Sequence, residues 1–187
     1  MKDIILASAN PHKLEEVRRF LSPLGVSVKD MRSAGFEEEI VEDGNTFEEN
    51  AAKKAQTVSR AFHKPAIADD SGLVVPALGG APGLYSARYA GENASYEDHY
   101  RLLLRNMERF DGAQRRAFFV CVIALARPGK GTEVFRAEQW GRITSEPRGE
   151  GGFGYDPVFY DPDIGAAYAE KPEAKQEPDA IPPPVTW

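Results

Sequence analysis

The sequence predicts an α/β fold in which a mixed β-sheet is flanked by helices. Short apolar segments typical of buried strands alternate with longer segments in which apolar residues recur at helical spacing. Two further apolar segments, joined by a Pro-Gly-Lys-Gly turn, predict an antiparallel hairpin inserted into that alternation. With 187 residues, the chain suits one domain or one domain with two lobes.

The first half of the chain supplies the alternating strands and helices. Asn10-Pro11 predicts a helix start, because asparagine caps helices and proline suits the first helical position. Thr46-Phe47-Glu48-Glu49 predicts a second start with a capping box. The strand that follows is expected to stop at Asp69-Asp70-Ser71-Gly72, where Gly72 lets the backbone turn sharply. The predicted elements are a strand at 4–7, a helix at 10–21, a helix at 46–62 and a strand at 66–68.

The second half predicts one helix, the hairpin and a separate tail. Ser95 is the expected cap of the third helix. The hairpin strands are expected at 117–126 and 133–143, and a glycine-rich loop at 149–154 follows them. Prolines beyond about Lys171 predict an extended or disordered tail. We therefore expect one domain over residues 1–170 and a divergent tail over residues 171–187.

Composition limits the kinds of partner and the cellular compartment. The formal net charge of −6 provides no electropositive field for nucleic acid, so a small phosphorylated molecule is the more reasonable ligand. No apolar segment reaches membrane-spanning length and no signal sequence is visible, so we expect a cytoplasmic protein without a membrane partner. The lone cysteine, Cys121, lies in an apolar segment and is expected to be a small core residue on a strand.

The first candidate site lies at the start of the first helix. A strand-to-helix turn presents backbone N–H groups and the positive end of the helix dipole to an anion. Lys13 lies in the first helical turn, where its charge opposes the dipole, and a phosphate would stabilise it there. An ordinary capped helix with a solvated lysine is the alternative. The candidate phosphate-binding residues are Ser8, Ala9, Asn10, Pro11, His12 and Lys13.

The second candidate is Lys54, in the second helix. At about 3.6 residues per turn, Asn50 and Lys54 fall within the apolar stripe of this helix, whereas Lys53 lies outside it. Burying a lysine alone is costly, so Lys54 is expected to face a phosphate or a carboxylate. A lysine whose ammonium group reaches water along an apolar surface is the alternative.

The third candidate is the adjacent pair Asp69 and Asp70. Two neighbouring carboxylates repel each other unless a cation or hydrogen bonds hold them, and ligands of α/β proteins bind at strand ends. One of these carboxylates could bind Mg²⁺ and position or deprotonate a water molecule, with Glu42 as a second oxygen ligand. The alternatives are a turn rich in aspartate and, for Glu42, a solvated acidic segment.

The fourth candidate is the glycine-rich loop that ends in Phe153-Gly154-Tyr155-Asp156. Its glycines allow close approach to the backbone, and an aromatic ring beside them can stack on a nucleotide base. An irregular loop with a buried aromatic residue is the alternative.

Together these segments resemble the inosine triphosphate pyrophosphatase family, from residue 4 to about residue 170. The blocks that carry the resemblance are Ser8-x-Asn10-x-x-Lys13, Glu42-Asp43-Gly44-x-Thr46-Phe47-x-Glu49-Asn50-Ala51-x-x-Lys54-Ala55, Ala68-Asp69-Asp70-Ser71-Gly72-Leu73, Pro82-Gly83-x-Tyr85-Ser86-Ala87-Arg88-Tyr89 and Gly152-Phe153-Gly154-Tyr155-Asp156-Pro157.

The resemblance implies an elongated, two-lobed fold with a central mixed sheet, flanking helices and an active-site cleft between the lobes. It implies a magnesium-dependent enzyme, usually a homodimer, that acts on purine nucleoside triphosphates with non-standard bases. ITP, dITP and XTP would be cleaved between the α and β phosphates to the nucleoside monophosphate and pyrophosphate.

The resemblance also implies roles for matching positions. Residues 8–13 and Lys54 would hold the triphosphate. Glu42 and Asp70 would bind Mg²⁺, and Asp70 would also accept the proton of the attacking water. Asp69 would assist the metal site and Ser71 would touch the substrate. The base pocket would consist of Phe153, Gly154, Tyr155 and Asp156.

The tail departs from the family pattern. Family members continue after an Ala-Glu pair, here Ala169-Glu170, with a lysine and then a Ser-His-Arg motif that contacts the base. This chain has no Ser-His-Arg there, and Lys175 stands nearest to the position of the family lysine. A shifted reading frame or a divergent end would produce such a tail.

Two alternative functions follow. The first is a nucleotide-binding protein of the same fold, with impaired catalysis or base selectivity because the motif is absent. The second is a different phosphate-ester hydrolase that uses the Asp69-Asp70 pair, which the absence of Asp-x-Asp spacing disfavours.

Overall fold

The structure, a computed structural model, describes residues 2–171. The chain divides into two compact units. Unit 1 takes in the chain up to Asp70 together with Cys121–Arg136, and unit 2 takes in Ser71–Val120 and the chain from Ala137 onward. The boundary at residue 170 that the sequence predicts between a domain and a tail stays a prediction.

The described residues form an α/β fold with a mixed sheet, as predicted. The helices are α1 (Pro11–Leu21), α2 (Phe47–Phe62) and α3 (Tyr96–Asn106). The strands are β1 (Lys2–Leu6), β2 (Val26–Asp30), β3 (Ala66–Val74), β4 (Arg116–Ala126), β5 (Thr132–Ile143), β6 (Phe159–Asp161) and β7 (Ala166–Ala167). The strand order is β2-β1-β3-β4-β5-β6-β7; β1 is parallel to β2 and β3, whereas β6 is antiparallel to β5 and β7. None of the helices in this part of the chain is long and apolar enough to cross a membrane.

In unit 1, α1 and α2 cover opposite faces of the sheet. The connection from β1 through α1 leads to β2 on one side, and the connection from β2 through α2 returns past β1 to β3. Parallel connections of this kind are right-handed, so two that run in opposite directions place their helices on opposite faces. Within this unit α1 contacts β2 and α2 contacts β1, and the candidate site residues lie after the end of β1 and along β3.

Two helix starts follow the predicted capping chemistry: Ser95 caps α3, and Thr46 caps α2 with one difference. The side chain of Thr46 accepts a hydrogen bond from the N–H of Glu49 at 3.1 Å, which is half of the predicted capping box. The carboxylate of Glu49 accepts from the N–H of Asn45 at 2.6 Å. The second half of the box thus reaches one residue beyond the cap and fastens the preceding loop to α2.

The predicted end of the third strand is wrong. β3 continues through Asp69, Asp70, Ser71 and Gly72 to Val74. Leu73 is fully buried and donates its N–H to Ser86 Oγ at 2.9 Å, so apolar burial and a side-chain hydrogen bond extend the strand beyond the carboxylates. Gly72 lies within β3 and makes no sharp turn.

The predicted burial of Cys121 is also wrong. Cys121 lies on β4, as expected, but its side chain is exposed. Neighbouring Val120 and Val122 are buried, and successive strand residues point to opposite faces. The continuous apolar sequence therefore gave no indication that one face of β4 is partly exposed to solvent.

Unit 2 has its own core, and a single arginine fastens two of its elements. Leu103, Met107 and Phe159 are among the fully buried residues of this core. The guanidinium group of Arg115 donates to four backbone carbonyls at 2.6 to 3.0 Å, at the ends of α3 and β5. The accepting carbonyls belong to Met107, Phe110, Ile143 and Thr144.

Candidate functional site

The first candidate segment lies where the sequence places it, between β1 and α1. Ser8 Oγ accepts from the N–H of Asn10 at 3.1 Å, and the carbonyl of Asn10 accepts from Leu14 N–H at 3.1 Å. Ala9, Asn10 and Pro11 are exposed, and His12 lies in the first helical turn. The first N–H groups of a helix have no partner within that helix, so this turn provides an accessible, positively polarised end.

Lys13 projects from the same turn and pairs with Asp69. Its Nζ lies 2.5 Å from Asp69 Oδ2, and both side chains are partly exposed. Burial lowers the pKa of Lys13, but the neighbouring Asp69 carboxylate outweighs burial and holds this pKa above its ordinary value. Lys13 therefore carries a full positive charge beside the N-terminus of α1.

Lys54 lies between the two predicted metal ligands. Its Nζ is 3.1 Å from Glu42 Oε1 and 3.6 Å from Asp70 Oδ1. Lys54 is buried, whereas Glu42 is exposed. The prediction that Lys54 faces an opposite charge is confirmed, and its partners are carboxylates of this chain.

Asp69 and Asp70 turn in opposite directions because they are consecutive residues of β3. Asp69 meets Lys13 of α1, and Asp70 meets Lys54 of α2. Each carboxylate thus has its own lysine, supplied by the helix on its own face of the sheet. This arrangement relieves the repulsion that two adjacent carboxylates would otherwise experience.

Asp70 is the carboxylate in this group that is set up to take a proton. Burial raises the pKa of Asp70 above its ordinary value, and the charge of Glu42 adds to this effect. Lys54 and a hydrogen bond from Asn50 lower the pKa without cancelling the rise. A carboxylate with a raised pKa is a better general base than an ordinary aspartate.

Asn50 is a residue of this site to which the sequence assigned no role. It is 3% exposed, accepts from the N–H of Gly44 at 2.8 Å, and lowers the pKa of the neighbouring Asp70 carboxyl. The available signal was its position four residues before Lys54 in an apolar stripe. A polar amide in that stripe requires buried partners.

Glu42 and Asp70 are a chemically suitable pair for a hard divalent cation. Their oxygens converge on the same ammonium group, which shows that one cation can interact with both. No group of three or more histidine, cysteine, aspartate or glutamate side chains able to hold a metal occurs within residues 2–171. Mg²⁺ accepts such a pair, because it commonly binds one or two carboxylates and takes its remaining ligands from water and phosphate.

The residues predicted for the base pocket differ in exposure. Within unit 2, Phe153 is 61% exposed, whereas Tyr155 and Asp156 are buried. Tyr155 donates its hydroxyl to the carbonyl of Ser86 at 2.8 Å, and Asp156 Oδ2 accepts from the N–H of Phe153 at 2.9 Å. Tyr155 and Asp156 thus hold the loop in shape, whereas the ring of Phe153 is largely exposed beside the ring of Tyr96.

Two predicted substrate-binding residues remain, Ser71 and Lys175. Ser71 follows Asp70 on β3 and is exposed. Lys175 and almost all of the predicted tail lie outside the described residues.

These features define a class of protein: an α/β protein with helix-borne lysines and paired carboxylates beside the N-terminus of α1, suited to a phosphorylated ligand. The Ham1 family model matches residues 4–178, and the chain belongs to the Ham1 family.

The dITP/XTP pyrophosphatase of Bacillus subtilis is 46% identical over 170 residues, which cover 91% of this chain and 86% of that protein. The dITP/XTP pyrophosphatase of Geobacillus kaustophilus is 47% identical over 178 residues, covering 95% and 87%. Among solved structures, a HAM1 protein from Coxiella burnetii has a TM-score of 0.88 at 39% identity and covers 94% of this chain and 90% of its own.

Proposed function

We propose that this protein hydrolyses purine nucleoside triphosphates with non-standard bases, such as ITP, dITP and XTP, to the monophosphate and pyrophosphate. It would thereby remove these nucleotides from the nucleotide pool. The observation that carries this proposal is the convergence of Glu42 and Asp70 on Lys54 beside a second lysine–carboxylate pair. The relatives named dITP/XTP pyrophosphatases support the choice of substrate and reaction.

Charge neutralisation is what this reaction chiefly requires of the protein. The N-terminal turn of α1, from Ser8 to Lys13, provides N–H groups and one ammonium group for the triphosphate. Lys54 provides a second ammonium group. Asp69 keeps Lys13 charged and limits its movement while the phosphate site is empty.

Hydrolysis also needs an aligned water molecule and a proton acceptor. We assign this role to Asp70, whose carboxylate lies beside Lys54 and Glu42, where the proposed metal and the attacking water would meet. Glu42 and Asp70 are the residues that would hold Mg²⁺. The ion would supply charge neutralisation on the phosphate oxygens and help to orient the nucleotide.

Base binding is assigned to the glycine-rich loop of unit 2. The exposed ring of Phe153 offers a face for stacking on a purine. Gly154 gives the backbone close access, Tyr155 and Asp156 maintain the loop, and Ser71 is the proposed further contact to substrate.

Product analysis with matched variants tests the proposal. We expect ITP with Mg²⁺ to yield IMP and pyrophosphate, and Asp70→Asn to lower turnover at least about 100-fold, as expected for a general base. Asp43→Asn is the control, because Asp43 is an exposed carboxylate in the same loop that pairs with Lys53. Release of orthophosphate in place of pyrophosphate would contradict the proposed reaction.

The alternative of a nucleotide-binding protein without effective catalysis is not favoured, because the curated relatives are named as pyrophosphatases. Comparing ITP with ATP at equal concentration distinguishes the two. We expect ITP to be hydrolysed much faster, and binding of both nucleotides without turnover would support the alternative.

The protein is further proposed to act as a homodimer in the cytoplasm, where nucleoside triphosphates are made and used. Large apolar side chains at the hairpin of β4 and β5 are exposed and favour self-association. They are Ile123, Val134 and Phe135. Light scattering in solution is expected to give twice the chain mass, and a monomer mass at micromolar concentration would contradict a homodimer.

A further inference from the structure

The loop that carries Glu42 is fastened to α2 at every residue from 42 to 46. Asp43 pairs with Lys53 at 2.5 Å, Asn45 donates to Glu49, and Thr46 caps the helix. These three contacts involve exposed groups. The other two, from Gly44 to Asn50 and from Glu42 to Lys54, reach side chains that are buried.

Asn50 differs from the other fastening residues because it contacts both sides of the carboxylate pair. Its Oδ1 accepts from Gly44 N–H at 2.8 Å, and its side chain lies close enough to Asp70 to lower the pKa of that carboxyl. The N–H donor of Gly44 occupies the amide oxygen, so the NH₂ group is the end of Asn50 left to interact with the Asp70 carboxylate. One buried amide therefore joins the loop of Glu42 to the strand of Asp70.

Gly44 has no side chain at the point where the loop packs closely against Asn50 and Glu49. A Cβ atom at this position would lie 2.6 Å from Asn50 Oδ1 and 2.8 Å from Glu49 Cβ. Any larger residue would push the loop away from α2 or displace the Asn50 amide. The absence of a side chain at residue 44 thus permits the hydrogen bond that sets the distance between Glu42 and α2.

We propose that Asn50 is a positioning residue that holds Glu42 and Asp70 at the separation needed to bind one divalent cation. This inference rests on the proposed function, because it assigns to Asn50 the geometry of the proposed metal ligands. Removing the amide would free the loop of Glu42 and take away a polar neighbour of the Asp70 carboxylate, so the two ligands would no longer be preorganised.

The test measures metal binding separately from turnover. Mn²⁺ binding without nucleotide is followed by electron paramagnetic resonance, and the Mg²⁺ concentration for half-maximal ITP hydrolysis is determined. Asn50→Ala is expected to weaken both by roughly 10- to 100-fold, the usual effect of losing a residue that orients a metal ligand. Excess Mg²⁺ should restore most of the turnover, which a general loss of structure would not allow.

Two further variants keep the proposal falsifiable. Gly44→Ala changes a loop residue and leaves the packing of α2 intact, and it is expected to reproduce the weaker metal binding. Lys53→Ala removes an exposed contact of the same loop and is expected to bind metal as the unchanged chain does. Thermal unfolding monitored by circular dichroism verifies that each variant is folded.

The outcomes separate this inference from the proposed function. Unchanged metal binding in Asn50→Ala and Gly44→Ala, while Asp70→Asn loses it, would overturn the role of Asn50 alone. Equal weakening in Lys53→Ala would also overturn it, because any contact of the loop would then suffice. An unchanged chain that binds no divalent cation would overturn the metal assignment and this inference together.

Discussion

At the scale of single residues, the two adjacent lysines of α2 have different surroundings. Lys54 is buried between Glu42 and Asp70, whereas Lys53 is exposed and pairs with Asp43. We expect Lys54→Gln to lower kcat/KM for ITP about 100-fold, which corresponds to about 2.7 kcal/mol of transition-state stabilisation. Steady-state kinetics measure this change. Lys53→Gln is the control and should stay within about twofold, so an equal loss in both variants would contradict the assignment.

The glycine-rich loop allows a second comparison between neighbouring residues. Phe153→Ala should raise the KM for ITP with little change in the midpoint of thermal unfolding, because this ring is exposed. Tyr155→Phe should instead lower the free energy of unfolding by about 1 kcal/mol, since it removes the hydrogen bond to the Ser86 carbonyl. Kinetics and thermal unfolding of both variants are the measurements. A KM effect for Tyr155→Phe equal to that of Phe153→Ala would contradict this division of roles.

The residues bearing charge in the site could be predicted, and their partners could not. The position of Lys54 in the apolar stripe of α2 already indicated a buried ammonium group. The partner of Lys13 is Asp69, 56 residues away in sequence and brought close by β3. Such pairs depend on which strands are neighbours, which the spacing within one segment does not reveal.

At the scale of secondary-structure elements, Arg115 joins the end of α3 to the end of β5. Its guanidinium group satisfies four carbonyls, and this favours a defined path for the chain between the two elements. We expect Arg115→Ala to lower the free energy of unfolding by about 2 kcal/mol, measured by urea denaturation. Arg101→Ala, on the exposed side of α3, removes an ion pair with Glu97 and should have no measurable effect. Equal stability of the two variants would contradict the role of Arg115.

The helices could be predicted more completely than the strands. α1, α2 and α3 begin at Pro11, Phe47 and Tyr96, and the capping signals lie in the residues immediately before them. β2 was not predicted, because its five residues include Lys29 and Asp30 and form too short a pattern. The continuation of β3 beyond the two carboxylates depends on burial of Leu73 in unit 2, a tertiary effect that local propensity does not contain.

At the scale of the whole molecule, two buried tyrosines make stability sensitive to alkaline pH. Burial raises the pKa of Tyr155 and, together with Asp161, that of Tyr168 above the ordinary value for tyrosine. Because each pKa is higher in the folded chain, the resulting stability is complete below about pH 10, the ordinary pKa, and is lost as pH rises above it. Ultraviolet absorbance of the phenolate, followed with circular dichroism, measures both events.

We expect the two buried phenols, Tyr155 and Tyr168, to ionise only as the fold opens. Tyr155→Phe should reduce the amplitude of the late step. Ionisation of Tyr155 and Tyr168 near pH 10, the ordinary pKa of tyrosine, with the circular dichroism spectrum unchanged, would contradict these assignments.

The ammonium group of Lys54 already serves as the counter-ion of Glu42 and Asp70 in the chain without ligands. A divalent ion that binds these carboxylates would replace the ammonium group as their counter-ion. The ammonium group of Lys54 could then pair with another anion. A triphosphate is such an anion, so occupation of one site lowers the free energy of filling the other. By thermodynamic linkage, metal and nucleotide must strengthen each other's binding by the same factor. The resting protein would then exchange one cation for another, and its affinity for the joint metal–nucleotide complex would exceed that for either component alone.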